Sequence, residues 1–195
     1  MIGVFTMNKD RDNMLVESTL KGDVNSFEEL VSFYQGRIFN FLSKMTATRE
    51  DAEEITQEVF IKVYKNLYKY NCKWSFSTWI YRIAVNTLRS EYKKVKKAKN
   101  IDYYASIPEL PASFSDYPDI AYEIKEQRVE IIKLIDGLKE DQKTALLLRC
   151  MQDFSFKEIG DILGISPEAA KMKIQRAKQT ICRKYEELQE RGRVK

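Results

Sequence analysis

Three of the four prolines in this 195-residue chain, Pro108, Pro111 and Pro118, fall within eleven residues, beside Ser106, Ser113 and Ser115 and the carboxylates Asp102, Glu109, Asp116 and Asp119. Proline lacks the amide proton a helix needs, and its ring collides with the preceding turn. No helix should therefore run through this stretch, which reads as an acidic linker over residues 100–121. On both sides of it apolar residues recur at steps of three and four, and nowhere does the two-residue alternation of a half-buried strand persist. The expectation is an all-α protein: an N-terminal tail (1–12), a first helical domain (13–99), the linker, and a second helical domain (122–195).

Charge is segregated along the chain. The formal net charge is only +4. Residues Asn86 to Lys99 nevertheless carry Arg89, Lys93, Lys94, Lys96, Lys97 and Lys99 against Glu91 alone, while the linker is acidic without a single base. Blocks of opposite sign imply more than one kind of contact surface. No apolar run approaches the roughly 20 residues that span a bilayer, and Met1 to Met7 is too short and uncharged for a secretory signal. A cytoplasmic protein with no direct membrane insertion is expected. Cys72, Cys150 and Cys182 are widely spaced and form no C-x-x-C pair, so disulfide and metal readings rank below ordinary small side chains. The absence of His removes the commonest general base and zinc ligand. No cofactor and no metal site are expected.

In the first domain, Ser26 and Glu29 suggest a capping box for a helix carrying Phe27, Leu30, Val31, Tyr34, Ile38, Phe41 and Leu42. Thr48 with Asp51 opens the next helix, whose inward set is Ala52, Ile55, Val59, Ile61 or Phe60, Val63 and Leu67. After a loop from Tyr70 to Ser75 a third helix starts near Ser77. One of its faces holds Phe76, Ile80, Ile83, Ala84 and Thr87, and another holds Arg82, Asn86, Arg89, Lys93 and Lys96. That second stripe suits either a solvated charged face or a nucleic-acid track. Trp74, Tyr70 and Asn71 at its head favour the track, since a base stacked on an aromatic ring contributes about 1–3 kcal/mol to single-strand binding. Trp79, inside the helix, reads as core rather than platform.

In the second domain "SFKEIGDILGISPEAAKMKIQRAKQTICRKY" has the layout of a helix-turn-helix. Ser155 and Glu158 form a capping box ahead of Phe156, Ile159, Ile162 and Leu163. Gly160 falls where crossing helices need a small residue, and Gly164 suits the sharp turn. Ser166 as N-cap and Pro167 at the first helical position start the second helix. Ala170, Ile174, Ala177 and Ile181 face inward. Glu168, Met172, Gln175, Arg176 and Gln179 face outward, with Lys171 and Lys173 on the flanks. Such a face reads DNA in the major groove or is merely solvated.

"DAEEITQEVFIKVYKNL", "FSTWIYRIAVN" and "FKEIGDILGISPEAAKMKIQRAK" together resemble bacterial sigma factors of the extracytoplasmic-function (group IV, sigma-70-like) type over nearly the whole chain. The resemblance implies a non-enzymatic specificity subunit that binds core RNA polymerase and promoter DNA. Its first domain would melt the minus-10 element, with Tyr70, Asn71, Lys73, Trp74, Ser75, Arg82, Asn86, Arg89 and Lys93 on the DNA. The second would recognise the minus-35 element through Ser166, Glu168, Lys171, Met172, Lys173, Gln175, Arg176 and Gln179. Glu54, Gln57, Glu58, Phe60 and Lys62 would dock on the clamp helices of the largest polymerase subunit, and the flap of the second largest would be a further contact. The linker would thread the polymerase cleft.

An anti-sigma partner is implied as well, since the chain ends soon after the recognition helix with "ELQERGRVK". Two departures stand out: "CKWSF" replaces the common G-x-S-F, and "AAKMKI" replaces "TVKSRL", which puts Met172 where a Ser is usual. The rivals are a stand-alone helix-turn-helix regulator, usually a symmetric dimer on a palindrome, and a carboxylate-metal nuclease suggested by Glu50, Asp51, Glu53, Glu54 and Glu58.

Overall fold

The structure, a computed structural model, describes the backbone of residues 3–99 and 130–193 and the side chains of residues 9–94 and 130–190. The expected linker and Lys96 of the basic stripe lie outside the described side chains. All regular structure among the described residues is helical. Two compact units are present, one N-terminal and one C-terminal.

The first unit begins with a helix where a tail was expected. Helix α1 runs from Gly3 to Leu20. Its visible apolar residues gave little sign of it, because Met14 and Leu20 face solvent and Val16 alone among them is buried. Polar contacts attach it instead. Arg11 pairs with Glu29 at 2.6 Å, and the buried Asp12 carboxylate accepts a hydrogen bond from Tyr34 at 2.5 Å. The chain then turns at Gly22, whose φ of +102° suits a residue without Cβ.

Helix α2 spans Val24–Ser43. Its cap is Asp23, not Ser26: Asp23 Oδ1 accepts from Asn25 N at 3.1 Å, and the Ser26 hydroxyl donates to Oδ2 at 2.6 Å. These bonds hold the Asp23 carboxyl below its ordinary pKa, the Ser26 bond most of all. Helix α3 spans Arg49–Asn66 and starts as expected, with Asp51 N donating to Thr48 Oγ1. A single 3-10 turn follows at Leu67–Lys69, and helix α4 spans Phe76–Lys99.

Helix α3 packs against both α2 and α4, and α1 packs chiefly against α2. Leu30, Tyr34, Ile38, Phe41 and Leu42 of α2 meet Ala52, Ile55, Val59 and Val63 of α3 and Phe76, Ile80, Ala84 and Leu88 of α4 in one core. Each large side chain so buried contributes about 1.5–3 kcal/mol. Tyr81 and Val85, absent from the expected face of α4, are also buried. Ring edges lock the layers, with Tyr34 against Phe76 at 5.3 Å and Phe41 against Tyr81 at 5.5 Å.

In the second unit the described residues start at 130, with residues 130–136 helical (α5) and a turn at Gly137. Helix α6 spans Glu140–Gln152, α7 spans Phe156–Leu163 and α8 spans Pro167–Arg193. Buried Lys143 on α6 pairs with Asp136 at 2.7 Å, tying α5 to α6. The capping box forms as expected: Glu158 N donates to Ser155 Oγ at 3.2 Å, and Ser155 N donates to Glu158 Oε2 at 2.9 Å. Gly160 is needed because the turn folds straight back on it; a Cβ there would lie 2.7 Å from Ile165 O. Gly164 takes φ +70° at the corner. Among the described residues no helix is long and apolar enough to cross a membrane.

Candidate nucleic-acid interface

The first surface is a cleft of about 460 Å3 between α3, the loop after the 3-10 turn, and α4. Trp74 and Trp79 line it with Arg82 and Asn86 of α4, and Lys62, Asn66 and Lys69 stand opposite. Local rules build the loop. Asn71 Oδ1 accepts from Lys73 N at 3.2 Å, a side-chain turn of the kind Asn favours. Ser75 Oγ accepts from Thr78 N at 3.2 Å and so caps α4. The Ser75 hydroxyl is also within 2.9 Å of Ser77 Oγ and 2.8 Å of Thr78 Oγ1, which commits it to the helix start rather than to a ligand.

Trp74 is half-buried, with Arg82 5.6 Å and Lys73 5.7 Å from its ring centroid. Guanidinium and ammonium groups so placed hold the indole through its ring quadrupole and still present charge to a phosphate. Asn86 and Lys93 are exposed along α4, and Arg89 is half-buried. Tyr70, expected on the stacking surface, is instead beneath it: the residue is only 9% exposed, with its ring 5.6 Å from Phe76 and 5.4 Å from Trp79. Trp79 serves both core and cleft.

The residues expected to meet polymerase do not share one face. Glu54 and Gln57 are exposed, Phe60 is half-buried, and Lys62 turns toward α4, where it donates to Thr87 Oγ1 at 3.2 Å and pairs with Glu58 at 2.7 Å. The Lys62 bond draws the Glu58 carboxyl below its ordinary pKa. Beside Glu54 and Gln57 lie residues that periodicity had assigned inward or passed over, Ile61 (53% exposed) and Tyr64 (56%), the latter edge-on to Phe27 at 4.9 Å. Among the described residues no group of three His, Cys, Asp or Glu side chains is placed to hold a metal ion.

The second surface is the outer face of α8. Glu168, Lys171, Met172, Gln175, Arg176 and Gln179 are all exposed, while Ala170, Ile174 and Ala177 are buried beneath. Two expected contacts have other work. Ser166 Oγ accepts from Ala169 N at 3.1 Å as the helix cap, and Lys173 pairs with Asp141 of α6 at 2.9 Å. A groove of about 550 Å3 flanks the face, where Lys139 and Gln142 approach Arg176 and Arg183. Lys139 adds positive charge from outside α8, and Arg183, one turn beyond Gln179 on α8, pairs with Glu187 at 3.5 Å. Arg149 braces the entry to α7, donating to Phe154 O at 2.9 Å with its guanidinium 5.4 Å from the Phe156 ring centroid.

Residues 30–98 match the Sigma-70 region 2 family, and residues 128–181 match the Sigma-70, region 4 family. The chain is 31% identical to the ECF RNA polymerase sigma-E factor of Haemophilus influenzae, over 91% of this chain and 96% of that one. The chain belongs to the ECF RNA polymerase sigma factors. It is also 28% identical to the ECF sigma factor SigW of Bacillus subtilis, over 89% of this chain and 96% of the relative. Among solved structures, the sigma factor RpoE of Bartonella quintana, in complex with the anti-sigma factor NepR, is similar at TM-score 0.67 and 17% identity, covering 81% of this chain and 95% of that one. CnrH in complex with the cytosolic domain of CnrY is similar at TM-score 0.66 and 18% identity, covering 90% and 97%. These two likenesses concern the fold.

As an ECF sigma factor, the chain is an alternative sigma factor that directs transcription initiation. The cleft lies wholly within the region 2 match, and the α8 face, except for Arg183, within the region 4 match.

Proposed function

We propose that the cleft of the first unit holds the melted non-template strand of the minus-10 element while the α8 face of the second reads the minus-35 duplex. Trp74, lining the cleft beside Arg82 and with Lys73 near its ring, is the observation that carries this reading. A stacking ring beside a cationic track binds single strands with little regard to sequence. Asn86, exposed on the cleft wall, adds a carboxamide that can both donate to and accept from a base edge. Tyr70 and Ser75 shape the site from below, and Asn71, Lys73, Arg89 and Lys93 extend its polar rim.

On α8, Gln175 and Gln179 suit base edges, Lys171 and Arg176 suit phosphates, and Met172 suits a thymine methyl. Glu54, Gln57, Ile61 and Tyr64 form the face proposed to dock on the clamp helices of the largest polymerase subunit, with Phe60 at its margin. The flap of the second largest subunit is proposed to engage the second unit. An anti-sigma factor is proposed as the regulator of this cytoplasmic protein, a reading supported by the NepR complex of the Bartonella relative.

Run-off transcription with core polymerase, on promoter fragments from the source genome, tests the reading. Transcripts are expected only when the chain is added, and Arg82→Ala or Asn86→Ala should remove them while polymerase binding persists. Tight binding of the free chain to a palindromic duplex, with no transcripts and no polymerase binding, would instead favour a stand-alone regulator. Free chain should bind DNA weakly and lose affinity steeply with salt.

A further inference from the structure

The loop carrying Trp74 is held from an unexpected direction. The Tyr70 hydroxyl lies 3.1 Å from Trp74 O and 2.9 Å from the carboxamide oxygen of Asn13, which belongs to α1 and is 57 positions away in sequence. With that oxygen toward it, the hydroxyl has one proton for two acceptors. Turning the Asn13 carboxamide about its last torsion exchanges oxygen and nitrogen at nearly the same positions, an exchange that hydrogen-bonding logic alone decides. Both bonds are then complete: Asn13 Nδ2–H donates to the phenol oxygen, and the phenol donates to Trp74 O.

We propose that Asn13 is a positioning residue for single-strand capture, its amide N–H acting through the Tyr70 hydroxyl to fix the Trp74 carbonyl and so the height at which the indole meets a base. The inference rests on the reading that the Trp74 cleft holds single-stranded DNA. Two further observations support the relay. The Tyr70 ring packs against both Phe76 and Trp79, which also touch each other, so the phenol is held in a three-ring cluster. Burial also pushes the Tyr70 phenol well above its usual pKa, which keeps the donated proton in place at any working pH. Helix α1 thereby becomes part of the apparatus that the motifs confined to α3 and α4.

The test uses the full chain in a Trp79→Phe background, so that Trp74 is the sole tryptophan. Acrylamide quenching of its fluorescence is measured, followed by binding of a labelled dT twelve-mer to the holoenzyme. Asn13→Ala, Asn13→Asp and Tyr70→Phe should each raise the quenching constant and weaken oligonucleotide binding about fivefold, the equivalent of one hydrogen bond of ~1 kcal/mol. The double variant Asn13→Ala/Tyr70→Phe should be no worse than Tyr70→Phe alone. Asn13→Asp is the sharpest case, because a carboxylate keeps the shape but takes the phenol proton for itself and leaves Trp74 O without a donor. Parent-like quenching in Asn13→Asp would overturn the relay, as would a lowered melting temperature in Asn13→Ala without any change in quenching. Trp74→Ala is measured in parallel. If it leaves oligonucleotide binding unchanged, the strand-capture reading fails, while the quenching data still decide what Asn13 does.

Discussion

The two surfaces proposed to meet DNA are built in opposite ways. The α8 face is convex and belongs to one helix, so every residue on it is placed by the helical repeat and by one cap at Ser166. The cleft is concave and draws on α3, a loop and α4, and the loop is tied in turn, through Tyr70, to α1. A convex face tolerates change one side chain at a time. The cleft is a joint product of four segments, and a shift in any of them moves Trp74. Breaking either unit should therefore leave the other working.

The largest effect is expected from Gly160→Val. A Cβ at Gly160 meets the backbone atoms Ile165 O at 2.7 Å and Pro167 N at 3.3 Å, which cannot rotate out of the way. Overpacking costs about 1–3 kcal/mol and occasionally more, and a clash with backbone on this turn should misplace α8 and abolish detectable minus-35 duplex binding. Both tryptophans lie in the first unit, so unfolding followed by tryptophan fluorescence should be unchanged while far-ultraviolet dichroism reports an earlier transition. A parent-like dichroism curve would show that the turn absorbs the extra methyls.

Trp74→Ala is the reciprocal test. Loss of one stacked base costs about 1–3 kcal/mol, so single-strand binding by the holoenzyme should fall roughly five- to hundredfold. Binding of the upstream duplex should not change. Equal loss on both probes would mean that the cleft and the α8 face do not act separately.

These contrasts explain what could be read from the sequence. Helices α2 to α4, α7 and α8 were legible because caps such as Thr48 and the Ser155–Glu158 pair coincide with a helical repeat of apolar residues. The α8 face was legible for the same reason, and its outward set is exposed as expected. Helix α1 was missed because polar bonds from Arg11, Asp12 and Asn13 attach it. The Ser26–Glu29 spacing mimics a capping box, but the cap is Asp23, one turn earlier, to which the Ser26 hydroxyl itself donates. Tyr70, Lys62 and Ser75 have the composition of DNA or polymerase contacts, and only packing shows the first buried, the second facing Thr87 and the third capping α4. Lys139 reaches the α8 groove from outside α8, through a tertiary neighbour for which no local spacing exists, whereas Arg183 continues the helical repeat of Arg176 and Gln179.

Met172→Ser sharpens the comparison at the scale of one base. The Met172 side chain is 45% exposed on the outer face of α8 and has no hydrogen-bonding group of its own beyond a weak sulfur acceptor. Replacing it should remove an apolar contact with a thymine methyl and offer a hydroxyl to either base edge. Selection from duplexes randomised in the minus-35 element should then show a preference lost at one position, by about fivefold for ~1 kcal/mol. Preferences at the other positions, and single-strand binding, should stay as they were. A preference altered at every position would mean that Met172 supports the helix rather than reads a base.

The smallest effect separates the units by their buried joints. The second unit joins α5 to α6 with an ion pair, Lys143 to Asp136, whereas the first joins α1 to α2 through Asp12 and Tyr34. Burial raises the Asp12 pKa above 3.8, outweighing the Tyr34 hydrogen bond and the nearby Arg11 and Arg37, which all lower it. An acid whose folded pKa is raised binds its proton more tightly in the native state. Its contribution to stability is thus fully present below pH 3.8 and is lost as pH rises through the folded value. Asp12→Asn keeps the shape and an acceptor for the Tyr34 hydroxyl but cannot titrate. The stability of the first unit, followed by tryptophan fluorescence in urea, should therefore fall less steeply across that window in the variant than in the parent. The slope is the readout, because the difference between an amide and a carboxyl as partner for Tyr34 shifts both ends of the curve alike. Parallel curves would show that Asp12 is ionised at no extra cost in the fold, and that α1 is held as loosely as its exposed Met14 and Leu20 first suggested.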